Sequence, residues 1–228
     1  TAAFKGVRER ILMKNIAYAG ALAALIGIDT EVIRALTQEK FSKKKALLDS
    51  NDEAIALGYN YAKDHFACPL PIHLERMDET KDMILIDGNT AAGLGCVFAG
   101  ATVGAWYPIT PSTSLMEAFK GFCQKYRVDE ETKKNRYAII QAEDELAAVG
   151  MVIGASWAGA RAFTPTSGPG ISLMNEFIGL AYFAEIPVTI IDVQRGGPST
   201  GMPTRTQQSD ILPAAYASHG DTKHVLLL

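Results

Sequence analysis

Between residues 83 and 193, this 228-residue chain alternates short apolar runs with longer stretches of helical period. The runs 83–86, 105–109, 137–141, 160–164 and 188–193 read as strands, and 91–102, 112–126, 144–158 and 171–184 read as helices. Strands joined by whole helices cannot pair as hairpins. They pack side by side, and the predicted fold is α/β, a mostly parallel sheet with flanking helices. Ligands of such sheets lie outside the carboxyl ends of the strands. Chemistry is therefore expected in the turns after Ile109, Gln141, Thr164 and Val193.

The first part of the chain has a different rhythm. Residues 1–80 hold 4 of the 20 glycines, and glycine-poor sequence suits helices better than tight turns. Ile11, Leu12, Ile16, Ala19, Leu22, Ala23 and Ile26 recur at three- and four-residue steps. Gly27 stands where a glycine would end that helix, and Asp29 can cap the next, over 30–41. A third helix is predicted over 51–66. The basic run Lys43-Lys44-Lys45 reads as solvated surface or an anion contact, and Pro69-Leu70-Pro71 opens an extended linker. The predicted division is a helical segment at 1–68, a linker at 69–81 and an α/β domain at 82–228. The chain opens at Thr1 and stops inside the apolar run Val225–Leu228, as would a piece of a longer polypeptide truncated at its C-terminus.

Composition excludes several classes. With 48% apolar and 21% charged residues the chain can build a core, unlike a disordered or collagen-like sequence. A net charge of −3 gives no general attraction to nucleic acid or anionic lipid. The run 16–28 is too short for a membrane span and is followed by no cleavage site. Cys68, Cys96 and Cys123 have neither zinc nor iron–sulfur spacing, and free thiols suit the cytoplasm. The four histidines are scattered.

Each turn admits a plain structural reading beside a functional one. In Tyr107-Pro108-Ile109-Thr110-Pro111-Ser112-Thr113, prolines fix the backbone around Ile109-Thr110. Pro111 suits the first turn of a helix capped by Thr110, or by Ser112 if the helix begins later. That helix start is a well-capped end or an anion site. Glu143, Asp144 and Glu145 complement a helix dipole. Yet the small residues behind them, Ala147, Ala148, Gly150, Gly154 and Ala155, allow close approach of a ligand, and an enclosed carboxylate can share or donate a proton. The loop 164–170 is a backbone cradle or an ordinary turn. Arg195 is a surface arginine on a Gly/Pro loop, or a fork for two oxygens of a carboxylate or phosphate. The stretch 88–95 follows a strand-like run but lacks the full dinucleotide spacing.

Taken together and in order, YPITPST at 107–113, AEDELAA at 142–148, TPTSGPG at 164–170 and QRGGPSTGMPT at 194–204 resemble the alpha subunit of the 2-oxoacid:ferredoxin oxidoreductases, in the form with a gamma domain fused ahead of it. GNTAAGLG at 88–95 matches the start of the alpha domain, and 1–66 is similar to the helical end of the gamma domain. The resemblance implies the pyrimidine-binding domain of a thiamine diphosphate enzyme. In that family a glutamate at the start of the third helix bonds N1′ of the aminopyrimidine, which in its imino form takes the proton from thiazolium C2. The 2-oxoacid is then decarboxylated, electrons pass to iron–sulfur clusters and ferredoxin, and the acyl group passes to coenzyme A.

Carried onto this sequence, the family pattern makes Glu145 the activating acid, with Glu143 as the fallback, and places Tyr107, Pro108 and Ile109 against the cofactor. Thr110 faces the reacting centre, and Arg195, Thr204 and Thr110 bind the substrate. No metal ligand is expected on this chain. The diphosphate–magnesium motif is missing, as is any cysteine set for a cluster, so the resemblance puts both on a beta subunit or other chains of a cytoplasmic hetero-oligomer. The fused form leans toward 2-oxoglutarate. The alternative is a non-catalytic interaction module with a pyrimidine-domain fold.

Overall fold

Helix α1, Val7–Ile26, ends where Gly27 enters the left-handed region at φ 75°, and Asp29 then caps α2, Thr30–Phe41, by accepting from the Glu31 N–H. Both devices match the sequence reading. The third helix, α3, spans Lys45–His65 and starts six residues ahead of expectation. Asn51 explains the difference. A residue suited to a helix start is instead buried inside the helix, where its amide donates to the Leu47 carbonyl at 2.6 Å.

The computed structural model describes residues 6–42, 44–75, 77–196, 199–201 and 205–220. It divides between Ile84 and Leu85 into two compact units. In the first, α1 packs on α3 through two reciprocal glycines. A Cβ on Gly20 would overlap the Ile55 carbonyl, and one on Gly58 would overlap the carbonyl of Ala17. Met13 and Ala54 are buried beside this crossing.

The second unit runs α4 (Gly88–Phe98), β1 (Val103–Trp106), α5 (Thr113–Tyr126), β2 (Ala138–Gln141), α6 (Glu145–Trp157), β3 (Ala162–Thr166), α7 (Gly168–Phe183), β4 (Thr189–Asp192) and α8 (Ile211–Ala215). The four strands form one parallel sheet in the order β2-β1-β3-β4, as the fold-class reading expects. On one face α4 and α5 bury Val97, Leu115, Met116 and Phe119 against Phe163. On the other, α6 and α7 bury Val149, Ile153 and Met174 with Ile190 packed against them. Period-two alternation along the strands serves both faces.

The expected strand at 83–86 is not formed: Met83, Ile84 and Leu85 stand 72–105% exposed. A short apolar run has no strand period of its own, and a strand needs a neighbour to pair with. Two helices begin earlier than predicted, α4 on an Asp87 cap that accepts from the Thr90 N–H, and α7 at Gly168 with Pro169 in its first turn. Of the two candidate caps for α5, Ser112 precedes the helix, with its hydroxyl turned back to the Ile109 carbonyl at 2.8 Å.

One residue shapes the carboxyl end of the sheet. The Arg161 carbonyl accepts from Thr102 ahead of β1, and the Thr166 carbonyl accepts from Val193 after β4, so the odd positions of β3 turn toward β1. Pro165 occupies such a position and has no N–H to give. The β1–β3 register accordingly stops at Gly104↔Phe163, while β3–β4 continues to Thr166↔Asp192. The ladder between the central strands thus ends early on the side where ligands of parallel sheets bind.

The α1–α3 crossing gives a sign test. Ala for Gly in an ordinary helix adds about 0.5–1 kcal/mol of stability. Gly58→Ala in the intact protein should instead destabilise it, by about 1–3 kcal/mol, because the new methyl meets backbone. Denaturant unfolding followed by circular dichroism would read the direction.

Candidate active site

The three acids at the start of α6 take three different places. Asp144 is the cap, accepting from the Ala147 N–H at 2.6 Å. Glu143 is exposed. Glu145, the first residue of the helix, is 4% exposed, and its Oε1 is buried with no hydrogen-bond partner. The dipole reading is thus met by Asp144, leaving Glu145 without a structural task. Its neighbours are Thr166 at the end of β3 and Gly170 in the first turn of α7. A Cβ on Gly170 would overlap the Thr166 hydroxyl and stand 3.0 Å from Glu145 Cγ, so only glycine admits both side chains. Thr164, two residues back on the same face of β3, also has a buried hydroxyl without a partner.

The turn after β1 brings Tyr107, half-buried, Pro108, exposed, and Ile109, buried, to the carboxyl end of the sheet. Thr110 follows, its side chain exposed. Its carbonyl joins three turns: it accepts from Arg195 Nη1 at 2.8 Å and from the Ser167 hydroxyl at 3.4 Å. The sequence reading brought together the loops at 107–113, 164–170 and 194–204, and these contacts link them.

Arg195 is not the surface arginine that a Gly/Pro loop suggests. It is 1% exposed. Its guanidinium donates to the carbonyls of Thr110, Ser199 and Thr200, and Nε is buried without an acceptor. Among the described residues no carboxylate pairs with it. A buried guanidinium bonded only to carbonyl dipoles favours an anion nearby. Thr204 lies outside the described residues.

Two acids escaped the sequence reading. Asp192 ends β4, and burial, aided by the neighbouring Asp210 carboxylate, raises its pKa to about 7. Asp210 is 8% exposed and accepts from the Arg195 N–H at 2.9 Å. Its only signal in the sequence is a Ser-Asp pair ahead of the apolar Ile211-Leu212, which resembles any helix start.

Residues 94–228 match the family model for pyruvate flavodoxin/ferredoxin oxidoreductase, thiamine diphosphate-binding, and 3–61 match that for pyruvate ferredoxin/flavodoxin oxidoreductase. The chain belongs to this thiamine diphosphate-binding oxidoreductase family. The alpha subunit of 2-oxoacid:ferredoxin oxidoreductase 1 from Aeropyrum pernix is 38% identical over 211 residues, 91% of this chain and 32% of that one. The 2-oxoglutarate synthase subunit KorA of Methanocaldococcus jannaschii is 46% identical over 142 residues, 62% of this chain and 36% of that one. Among solved structures, the 2-oxoglutarate:ferredoxin oxidoreductase of Magnetococcus marinus, with 2-oxoglutarate, coenzyme A and succinyl-CoA bound, superposes with a TM-score of 0.73 at 37% identity, covering 95% of this chain and 37% of that one. The chain therefore spans about a third of the length of these relatives.

Asp192 makes stability depend on pH. Its folded pKa lies above that of a free aspartate, so its contribution is present below about pH 4 and is lost as pH rises toward about 7. Asp192→Asn cannot ionise. It should raise the thermal midpoint of the intact protein at pH 8 and leave it nearly unchanged at pH 4. An equal shift at both values would contradict the assignment.

Proposed function

We propose that this chain is the pyrimidine-binding part of an alpha subunit of a thiamine diphosphate-dependent 2-oxoacid:ferredoxin oxidoreductase, with 2-oxoglutarate as substrate. In this reading 1–68 is the helical end of a gamma-type domain, 69–81 a linker and 82–228 the pyrimidine domain. The observation that carries it is Glu145: a buried carboxyl with an unbonded oxygen, at the carboxyl end of a parallel sheet, beside a glycine whose missing side chain leaves room for the carboxyl and Thr166 together. An aminopyrimidine ring nitrogen is a fitting partner for that oxygen, whereas the exposed Glu143 would compete with water for the same bond.

Thiamine diphosphate, when bound, supplies the electron sink for decarboxylation. The chain's own residues do the rest of its share. Glu145 holds the proton between its carboxyl and the ring nitrogen, in a site where burial strengthens the bond. Tyr107, Pro108 and Ile109 provide the wall at the carboxyl end of the sheet, with Ile109 buried in the core. Arg195 supplies fixed positive charge for the 2-oxoacid carboxylate, with Thr204 and Thr110 beside it. The solved 2-oxoglutarate-binding relative at 37% identity supports this substrate class.

The diphosphate, its magnesium and the iron–sulfur clusters fall to partner chains, with a beta subunit, ferredoxin and coenzyme A completing a hetero-oligomer. Among the described residues no helix is long and apolar enough to cross a membrane. Free thiols at Cys68, Cys96 and Cys123 support a reducing, cytoplasmic setting.

In the complete complex, Glu145→Gln should lower 2-oxoglutarate-dependent reduction of ferredoxin or a viologen dye by about 10²–10⁴-fold, the usual weight of a positioned acid–base group. Activity near wild type would move the role to Glu143, and retention in both variants would favour a non-catalytic module. Arg195→Ala should raise KM for 2-oxoglutarate by about tenfold or more, the loss of one charge-assisted bond. An unmoved KM would remove Arg195 from the carboxylate site.

A further inference from the structure

Arg195 sits on a loop between β4 and α8 and is nearly inaccessible, so something must hold its backbone as firmly as the carbonyls hold its guanidinium. Two adjacent side chains do so. The Asp210 carboxylate accepts from the Arg195 N–H at 2.9 Å, and the Ser209 hydroxyl donates to the Arg195 carbonyl at 2.8 Å. Both backbone polar groups of Arg195 are thus taken by side chains fourteen and fifteen residues away. An isolated bridge between Arg195 and Thr206 and a bond from the Gly196 N–H to the Arg205 carbonyl close the loop between them.

The same carboxylate has a second anchor. Gly168 opens α7, and a Cβ there would overlap the Asp210 carboxyl group. Asp210 thus lies against the first turn of α7, next to Ser167, whose hydroxyl reaches the Thr110 carbonyl that Arg195 Nη1 also bonds. Backbone, guanidinium and helix start are tied in one ring: Asp210 to Arg195, Arg195 to Thr110, Thr110 to Ser167, and Gly168 back against Asp210. A residue that served only as a helix cap would not need this placement, and Asp210 makes no side-chain capping bond to α8.

We infer that Asp210 is the positioning residue for Arg195, its carboxylate fixing the arginine's main chain to the start of α7 so that the guanidinium meets the substrate carboxylate in one orientation. This rests on the proposed role of Arg195. Ser209 serves as the second jaw of the clamp. Neither residue touches the reacting atoms. Their effect passes through the arginine, so it falls on substrate binding before it falls on turnover.

The test uses the complete complex. Asp210→Ala should raise KM for 2-oxoglutarate about tenfold with kcat changed less than threefold and thiamine diphosphate affinity unmoved. Combined with Arg195→Ala it should add little beyond the arginine variant alone, since both act on one interaction. Asp210→Asn keeps an oxygen that can accept from the Arg195 N–H and should recover most of the loss. Ser209→Ala should shift KM in the same direction. Additive effects of Asp210→Ala and Arg195→Ala, or a fall in kcat at constant KM, would overturn the inference. Amide hydrogen exchange of the 194–196 segment separates it from the reading it rests on. Asp210→Ala should strip protection from the Arg195 amide whatever the arginine binds, and retained protection would sink the clamp. Should Arg195→Ala leave KM unmoved while Asp210→Ala still strips protection, the carboxylate role fails and the clamp stands.

Discussion

The early end of the β1–β3 ladder is the constraint on which the candidate site depends. In a fully zipped parallel sheet every backbone group between the central strands is paired. Here Pro165 withholds one donor on the side facing β1, and pairing stops at Gly104↔Phe163. The turn 107–112 leaves β1 at this end, and Ser167 alone joins β3 to α7. The hydroxyl of Ser167 and the guanidinium of Arg195 meet at the Thr110 carbonyl. A residue chosen for what it cannot do positions groups that have chemistry to offer.

The enclosure of Glu145 follows from the same architecture. Helix α6 leaves β2, crosses β1 and lies against β3 and α7, which carries its first residue from an edge strand to the centre of the sheet. There, Gly170 lets α7 come close without a side chain in between. Three adjacent acids consequently differ in kind. One caps, one is solvated, and one is held out of water with an oxygen to spare. Composition at a helix start cannot separate these outcomes, because all three acids favour the positive end of a helix.

The sheet and most helices were legible because their periods are local: α2 has the predicted bounds, and β1 to β4 fall on or beside predicted runs. The end of α1, too, is explained by the glycine that stops it. Failures came where a residue's role is set by something distant. Asn51 reads as a start and is an interior bond. The run 83–86 reads as a strand and pairs with no strand among the described residues. Likewise, the loop motifs pointed to Thr110 and Arg195, but not to the burial of the arginine, which depends on carbonyls up to 85 residues away. Asp192 and Asp210 carried no motif at all. Their meaning appears only when β4 and the chain before α8 are brought beside the start of α7.

The buried arginine sets the electrical character of this end of the sheet. A guanidinium does not lose its proton at any pH a cell maintains, and packing holds this one where solvent ions screen it poorly. The same packing that hides this cation encloses Glu145, Asp192 and Asp210, so opposite charges lie close together where little water separates them and each group is felt at longer range than it would be on an open surface.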